Sequence, residues 1–407
     1  MKIAFLVIKF PVISETFILN QIIGLINRGH EVYIFADTKK KESKIHREIE
    51  KYNLLDKTIY FNIPRNRFNR LIKSFLLIIN YLPKYPKLVL KSLNFLKYEK
   101  NCFTLLFRTT KFIGKDFDIL HCQFGPMGVI GCILKKMGLI DAKIITSFRG
   151  YDMSQSAFNK YKKEYPLVFK ESTFILPVCD FFKKILVKKM SKEDKILVHH
   201  SGTDTSMLSC KEYDNSRNGE INIITIGRLK KKKGIEFSIR AVAKIIKQNP
   251  EIKINYSIVG EGELKNKLKH LALKLGIDEN VSFLGLRSQR EIIRLLHSSS
   301  FLLSSNVSHK EDGYDGIPGV IREAMACCLP VIATKSGGIP EAVLDKKSGF
   351  LVSEKDVDDL TEKIQYLIDH RDMWREMGHI GRQHIKEHFD INKLNDKLEE
   401  IYKKCFQ

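Results

Sequence analysis

This sequence predicts an α/β fold of two doubly wound, Rossmann-like domains facing across a cleft, on three observations. Short apolar, β-branched runs alternate with helix-like segments along the chain, the pattern of parallel sheets covered on both faces. At 407 residues the chain is too long for one common domain and suits two of about 200. Between Cys210 and Glu220 the composition turns polar, Lys-Glu-Tyr-Asp-Asn-Ser-Arg-Asn-Gly, before a fresh apolar run begins, which marks the natural linker.

In the first half the expected strands are Ile3–Ile8, Val32–Phe35, Ile119–Cys122, Lys143–Thr146, Phe174–Val178 and Ile196–His199. In the second they are Asn222–Ile226, Ile254–Val259, Val281–Leu284, Phe301–Leu303, Val331–Ala333 and Phe350–Val352. Helices fill the gaps: Glu15–Asn27 behind a Pro11 turn and a Ser14 cap, Phe181–Lys189 behind an Asp180 cap, Ile235–Ile246, Glu263–Leu275, Gln289–Ser298 and Val357–Asp369. The expected domains are 1–205 and 206–385, with 386–407 forming a last helix that packs back on the first domain. The run Lys2–Ile8 breaks at Lys9 and lacks a cleavage region, so it reads as a buried strand, not a signal peptide.

Hydrophobic content of 43% is enough for packed cores. The eight cysteines show no metal-ligand spacing, and scattered as they are through apolar runs they read as buried free thiols of a reducing cytosol. The net charge of +22 asks for an acidic partner. Much of the excess lies between Arg65 and Lys115, where Glu99 is the single acid and the runs Phe75–Ile79 and Leu88–Leu90 are too short to span a bilayer. Basic and apolar together suit an anionic membrane surface, with a solvated basic helix face as the bland alternative. No nucleic-acid-binding motif occurs, so nucleic acid is not an expected partner.

The richest run in polar chemistry is Asp315-Gly316-Ile317-Pro318-Gly319-Val320-Ile321-Arg322-Glu323-Ala324-Met325-Ala326. Gly316 and Gly319 permit close backbone approach, and Pro318 pre-sets a helix whose free N–H groups and positive dipole end would welcome an anion near Gly319. Glu323 falls one turn into that helix and Asp315 in the loop before it, two carboxylates able to accept from sugar or ribose hydroxyls. After the strand Asn222–Ile226 comes Gly227-Arg228-Leu229-Lys230-Lys231-Lys232-Lys233-Gly234, where Arg228 can fork two phosphate oxygens and Lys233 adds a point charge. Gly260-Glu261-Gly262-Glu263 holds two glycines of a dinucleotide turn without the third, which disfavours nicotinamide chemistry. His121 ends a strand and is either a hydrogen-bonded core residue or a cleft group, and Phe148-Arg149-Gly150-Tyr151-Asp152 offers a charged edge after the next strand.

Together these motifs resemble the retaining, nucleotide-sugar-dependent glycosyltransferases of the GT-B architecture, family four (group 1). The resemblance is strongest from Gly227 to Val352, including Gly337-Gly338-Ile339-Pro340-Glu341. Through Pro11-Val12-Ile13-Ser14-Glu15-Thr16-Phe17-Ile18 and Phe148–Asp152 it is closest to the branch of bacterial colanic-acid, exopolysaccharide and capsule synthesis. It implies a donor-binding second domain in which Arg228 and Lys233 grip the diphosphate, Glu323 holds the ribose and Asp315, where the family usually has glutamate, contacts the transferred sugar. Gly316, Ile317, Pro318, Gly319 and Val320 complete that donor site. It makes the first domain the acceptor domain, with His121 near the anomeric carbon and Glu15, Thr16, Arg149 and Asp152 as acceptor contacts. Ser201-Gly202-Thr203-Asp204 resembles the family's interdomain segment.

No carboxylate stands ready behind the sugar for a covalent intermediate. The expected route is attack on the leaving-group face, with Arg228, Lys233 and the helix end at Gly319 steadying the departing phosphate. No Asp-x-Asp motif sits in the cleft loops, so neither metal nor cofactor is expected. The expected partners are a nucleotide sugar and a glycan or lipid-linked acceptor, at the cytoplasmic face of a plasma membrane. A sugar-nucleotide epimerase and a non-catalytic basic scaffold stay open as alternatives.

Overall fold

The computed structural model describes residues 1–12, 15–39, 46–94, 103–190, 193–212, 219–309 and 313–407. The Ser14 cap, Lys97, Glu99, Lys100 and the middle of the polar linker, 213–218, lie outside them. The first sheet contains β1 (Lys2–Phe10), β2 (Glu31–Lys39), β3 (Thr58–Tyr60), β4 (Ile119–Gln123), β5 (Lys143–Phe148) and β6 (Phe174–Pro177), in the order β3-β2-β1-β4-β5-β6. The second contains β7 (Ile221–Ile226), β8 (Ile254–Val259), β9 (Val281–Gly285), β10 (Phe301–Ser304), β11 (Val331–Thr334) and β12 (Gly349–Val352), in the order β12-β11-β10-β7-β8-β9. All named pairings are parallel. Both sheets are therefore doubly wound, and each has its switch point between the first and fourth strands of its domain, where crevices open at the carboxyl ends.

Each sheet buries both faces, which is why its strands are nearly all apolar. In β1, Ile3, Phe5 and Val7 join one core while Ala4 and Leu6 join the other. Eleven of the twelve expected strands and all six expected helices form, with ends moved by at most two residues except in β2, which runs four residues past Phe35 to Lys39. The exception among the twelve is Ile196–His199, which runs beside β6 through a bridge from Ile196 to Ile175 and bonds from the N–H groups of Leu197 and His199 to the Ile175 and Pro177 carbonyls, without forming a strand of its own. Edge strand β3 was not foreseen: three half-buried residues are too few to show an apolar period. Asp180 is the first residue of the helix Asp180–Met190, not a cap before it.

After the helix Met373–His388, packed on Gly319–Ala326, the chain crosses between domains. At the crossing Thr203 N–H donates to the Phe389 carbonyl (2.8 Å) and Ile391 N–H to the Thr203 carbonyl (3.1 Å). The helix Ile391–Lys404 then lies on Thr16–Ile26, burying Leu398, Ile401 and Tyr402 in the first domain's core. Gly24 permits this contact, since a Cβ there would lie 1.9 Å from the Asn395 amide.

The reading of the cysteines needs a correction. Cys122, Cys132, Cys179, Cys327 and Cys405 are free and buried, but Cys210 and Cys328 form a disulfide across 118 residues. Sequence spacing could not show it, because the fold alone brings the linker against the turn after Gly319–Ala326, where Lys211 N–H reaches the Cys327 carbonyl at 3.0 Å. Closing so long a loop stabilises by about 2–4 kcal/mol. A reductant is therefore expected to lower the Tm of the parent and leave that of Cys210→Ser unchanged, as read by calorimetry with and without dithiothreitol.

Candidate active site

The carboxyl ends of β7 and β10 and the start of the helix Gly319–Ala326 converge to one place. Beyond β7, Lys231–Lys233 form a single 3-10 turn closed by Gly234 at φ 58°, where a Cβ would lie 1.9 Å from the Ser305 carbonyl oxygen. This forced turn aims Lys232 and Lys233 inward and leaves Arg228 exposed at the rim. Beyond β10, the Asn306 amide donates to the Asp315 carboxylate at 2.6 Å and is itself oriented by the Ser304 hydroxyl at 2.7 Å. Asp315 also receives the Lys232 ammonium at 2.9 Å and that of Lys233 at 2.8 Å. Burial alone would raise the Asp315 pKa, but the Lys233 and Lys232 charges outweigh it and hold the carboxyl well below the usual carboxylate range.

Pro318 precedes the helix and Gly319 opens it exposed, so its first N–H groups face outward. Glu323, one turn in, is half-buried and accepts from the Gln289 amide at 3.3 Å. Burial pushes its pKa up, Gln289 and Arg322 opposing. Val320 and Ile317 are half-buried and Pro318 is buried. The close approach at Gly316 is to the other domain: a Cβ there would lie 2.8 Å from Val178 and 3.7 Å from the Arg149 carbonyl oxygen.

The two domains meet along this edge. The Tyr314 ring packs on Phe181 with centroids 4.7 Å apart, and Gly338 has room only for a hydrogen against Cys179. The Glu341 carboxylate accepts from the N–H groups of Asp180 (2.8 Å) and Phe181 (2.9 Å), so the second domain caps a helix of the first. Two buried arginines converge on the interdomain segment: Arg149 donates to the Ser201 hydroxyl at 3.2 Å, and Arg322 to the Ser201 carbonyl. Burial pulls the pKa of each down to about 10, which leaves both cationic at neutral pH.

Three first-domain assignments are corrected. His121 is fully buried within β4, with Nδ1 2.6 Å from the Tyr402 hydroxyl and Nε2 2.8 Å from that of Ser147. Burial, with Arg149 nearby, drives its pKa well down. It is a neutral core histidine holding the last helix in place and cannot reach an anomeric carbon. Asp152 is likewise fully buried, and its oxygens accept from the N–H groups of Gly125, Arg149 and Gly150 at 2.8–3.0 Å. It shapes the loop after β5 and is no acceptor contact. The Arg149 side chain is spent on Gln123 (2.7 Å), Gln21 (2.9 Å) and Ser201, with its guanidinium over the Phe17 ring. It positions the junction and does not face the acceptor directly. Thr16 is exposed and Glu15 half-buried, beside a small hollow lined by Phe10, Pro11, Val12, Glu15 and His46.

Lys232, Asn306, Arg322, Gln123 and Gln21 were missed. Lys232 and Arg322 lie inside motifs already singled out, whereas Asn306, Gln123 and Gln21 gave no signal, since nothing in their neighbours along the chain marks an amide that will meet a distant partner. Among the described residues, two groups bring ligating atoms within 4.8 Å of one another: Cys210, Cys328 and His379, and Asp180, His200 and Glu341. Neither belongs to the convergence around Asp315.

Two family models match consecutive parts of the chain: Glycosyltransferase Family 4 over residues 14–207 and Glycosyl transferases group 1 over residues 211–384. The putative colanic acid biosynthesis glycosyltransferase WcaL of Escherichia coli K12 is 30% identical over 369 residues, covering 89% of this chain and 90% of that protein. This chain belongs to the group 1 glycosyltransferases. The amylovoran biosynthesis glycosyltransferase AmsK of Erwinia amylovora is also 30% identical, covering 88% of each chain. Among solved structures, Anabaena HepE in complex with UDP and glucose superposes with a TM-score of 0.72 over 99% of this chain and 100% of that one, at 17% identity. This glycosyltransferase thus has the two-sheet architecture expected of it, and its enzymatic class is that of its family.

Proposed function

We propose that this glycosyltransferase moves a sugar from a nucleotide-diphosphate donor, with retention and without metal or cofactor, to a lipid-linked glycan of bacterial surface polysaccharide. The carrying observation is the cationic pair Lys232–Lys233 set with Asp315 beside the open, positive end of the helix Gly319–Ala326. An incoming diphosphate would take over the lysine ammoniums, with Arg228 closing from the rim, and free Asp315 to accept from sugar hydroxyls. Glu323, held by Gln289, is placed for the ribose diol. These groups and the helix end stabilise charge growing on the leaving phosphate, which takes the acceptor's proton as the new bond forms on the same face. With His121 and Gln123 both fully buried, no side chain of β4 is assigned beside the anomeric carbon. The exposed Thr16 and neighbouring Glu15 remain the acceptor-side contacts.

The names of WcaL and AmsK support the polysaccharide reading, and the UDP and glucose of HepE support the donor class. The basic stretch Arg65–Lys115 supports work at an anionic membrane surface, on the cytoplasmic side. Arg108 does not contribute to it, being buried and paired with Asp37 at 3.1 Å.

The test is a nucleotide-release assay over a panel of nucleotide sugars with extracted lipid-linked glycans, followed by NMR of the product linkage. The donor's anomeric configuration is expected in the product, and transfer is expected to persist in EDTA. Inversion, or turnover of the sugar nucleotide without release, would overturn the scheme, the latter in favour of an epimerase.

A further inference from the structure

The helix Arg67–Tyr81 has its apolar face on the outside. Phe68, Leu71, Ile72, Phe75, Leu76 and Ile79 are 48–69% exposed. At 3.6 residues per turn they share an arc of about 140°. The opposite side faces the protein: Ser74 is buried with its hydroxyl on the Arg70 carbonyl at 2.7 Å, Leu77 and Tyr81 are half-buried, and the helix rests on Thr104–Phe112 and Pro86–Ser92. A soluble surface helix is expected to do the reverse. So large a contiguous apolar surface marks an interaction site.

Charge identifies the partner. No Asp or Glu occurs from Arg65 to Asn94, while Arg65, Arg67, Arg70, Lys73, Lys84, Lys87 and Lys91 do. Among the described residues none of the seven is in an ion pair: Arg70 donates to the Pro64 carbonyl and Lys91 to that of Met137. Exposed Leu90 extends the apolar surface onto the next helix. Apolar side chains rimmed by unpaired cations match the interface of an anionic bilayer, where the chains enter the acyl boundary and the cations meet phosphates. At 15 residues the helix is about 22 Å long, too short for a hydrocarbon core of about 30 Å, so it lies along the surface.

Topology ties this face to the site. The helix follows the carboxyl end of β3, whose Tyr60 hydroxyl donates to the Phe10 carbonyl at 3.1 Å, beside Glu15 and Thr16. Its start, at Phe68, is therefore on the edge of the sheet where the acceptor site opens.

We propose that the helix Arg67–Tyr81 is a membrane-docking element that seats Phe68, Phe75 and Ile79 among anionic lipids and brings the acceptor edge to the bilayer. This rests on the reading that the acceptor is carried on a lipid, and it names the element that meets it.

The full chain is tested by flotation with phosphatidylcholine vesicles with and without phosphatidylglycerol. Binding is expected only to the anionic vesicles and to weaken with salt. The combined variant Phe68→Ser, Phe75→Ser, Ile79→Ser is expected to bind roughly tenfold or more weakly. Because those side chains are exposed, its circular dichroism and its transfer to detergent-dispersed acceptor should match the parent's. Phe75→Trp adds a second indole to the single, buried Trp374, and its emission should shift to the blue with anionic vesicles. Unchanged vesicle binding by the triple variant, or no shift, overturns the proposal. So does a parent dimer that the triple variant converts to monomer without any vesicle binding, which would assign the face to a second copy. If the parent docks as described but transfers to no lipid-linked glycan, the acceptor reading fails and the docking element stands.

Discussion

Lys233→Ala is expected to lower kcat/KM by about 10²–10³-fold, or about 3–4 kcal/mol of transition-state stabilisation. The reason lies in when the lysine acts. In the structure its ammonium is held by Asp315 at 2.8 Å, so it is already aimed and desolvated before a donor arrives. As the sugar–phosphate bond breaks, negative charge grows on the diphosphate, and an ammonium prepared in this way gains more in the transition state than in the ground state. The loss should therefore fall on kcat as well as KM. Lys232, 2.9 Å from Asp315, keeps the carboxylate paired, so the variant should fold. Lys231 is exposed on the same turn, and Lys231→Ala should retain parental rates. Steady-state kinetics of the two variants decide the matter: equal losses would mean that the turn provides only diffuse positive charge.

Asp315→Asn should destabilise the second domain by about 3 kcal/mol, the low end for breaking a buried ion pair, because the three partners keep 9–17% of their side chains exposed. The amide would leave two ammoniums side by side without a counter-charge. The pH dependence gives an independent check. The folded pKa of Asp315 is lowered below its unfolded value of about 3.9. Fewer protons are then bound folded than unfolded, so the stabilisation is present above about pH 4 and lost as pH falls below it. The gap in Tm between parent and variant should thus be widest near neutrality and close on acidification. A constant gap would mean that Asp315 stabilises by shape alone.

The architecture was largely legible because parallel strands covered on both faces must be apolar throughout, and such runs stand out in single-letter form. The loops that converge on Asp315 were legible for a related reason. Asp315, Gly316, Pro318, Gly319 and Glu323 sit close together in one run, as do Arg228 and Lys233, so local spacing carried the chemistry. Asn306 escaped, since nothing in Ser304-Ser305-Asn306 marks an amide that will meet Asp315. The first domain was misread at His121 and Asp152. Each is a polar residue at a strand end, and only burial tells a cleft group from one satisfied inside the core.

What the sequence by itself determined about this glycosyltransferase is the pair of doubly wound sheets and the polar, glycine-bearing loops that follow two of their strands. These depend on periodicity, turn residues and contiguous motifs, which are local. Tertiary structure alone decided that Tyr402 would occupy His121 and that Glu341 would cap a helix of the other domain. It also paired Cys210 with Cys328, and it turned the apolar face of Arg67–Tyr81 outward. Each of these depends on which distant surfaces meet, and burial of a polar or apolar group is set by that meeting and not by its neighbours in the chain.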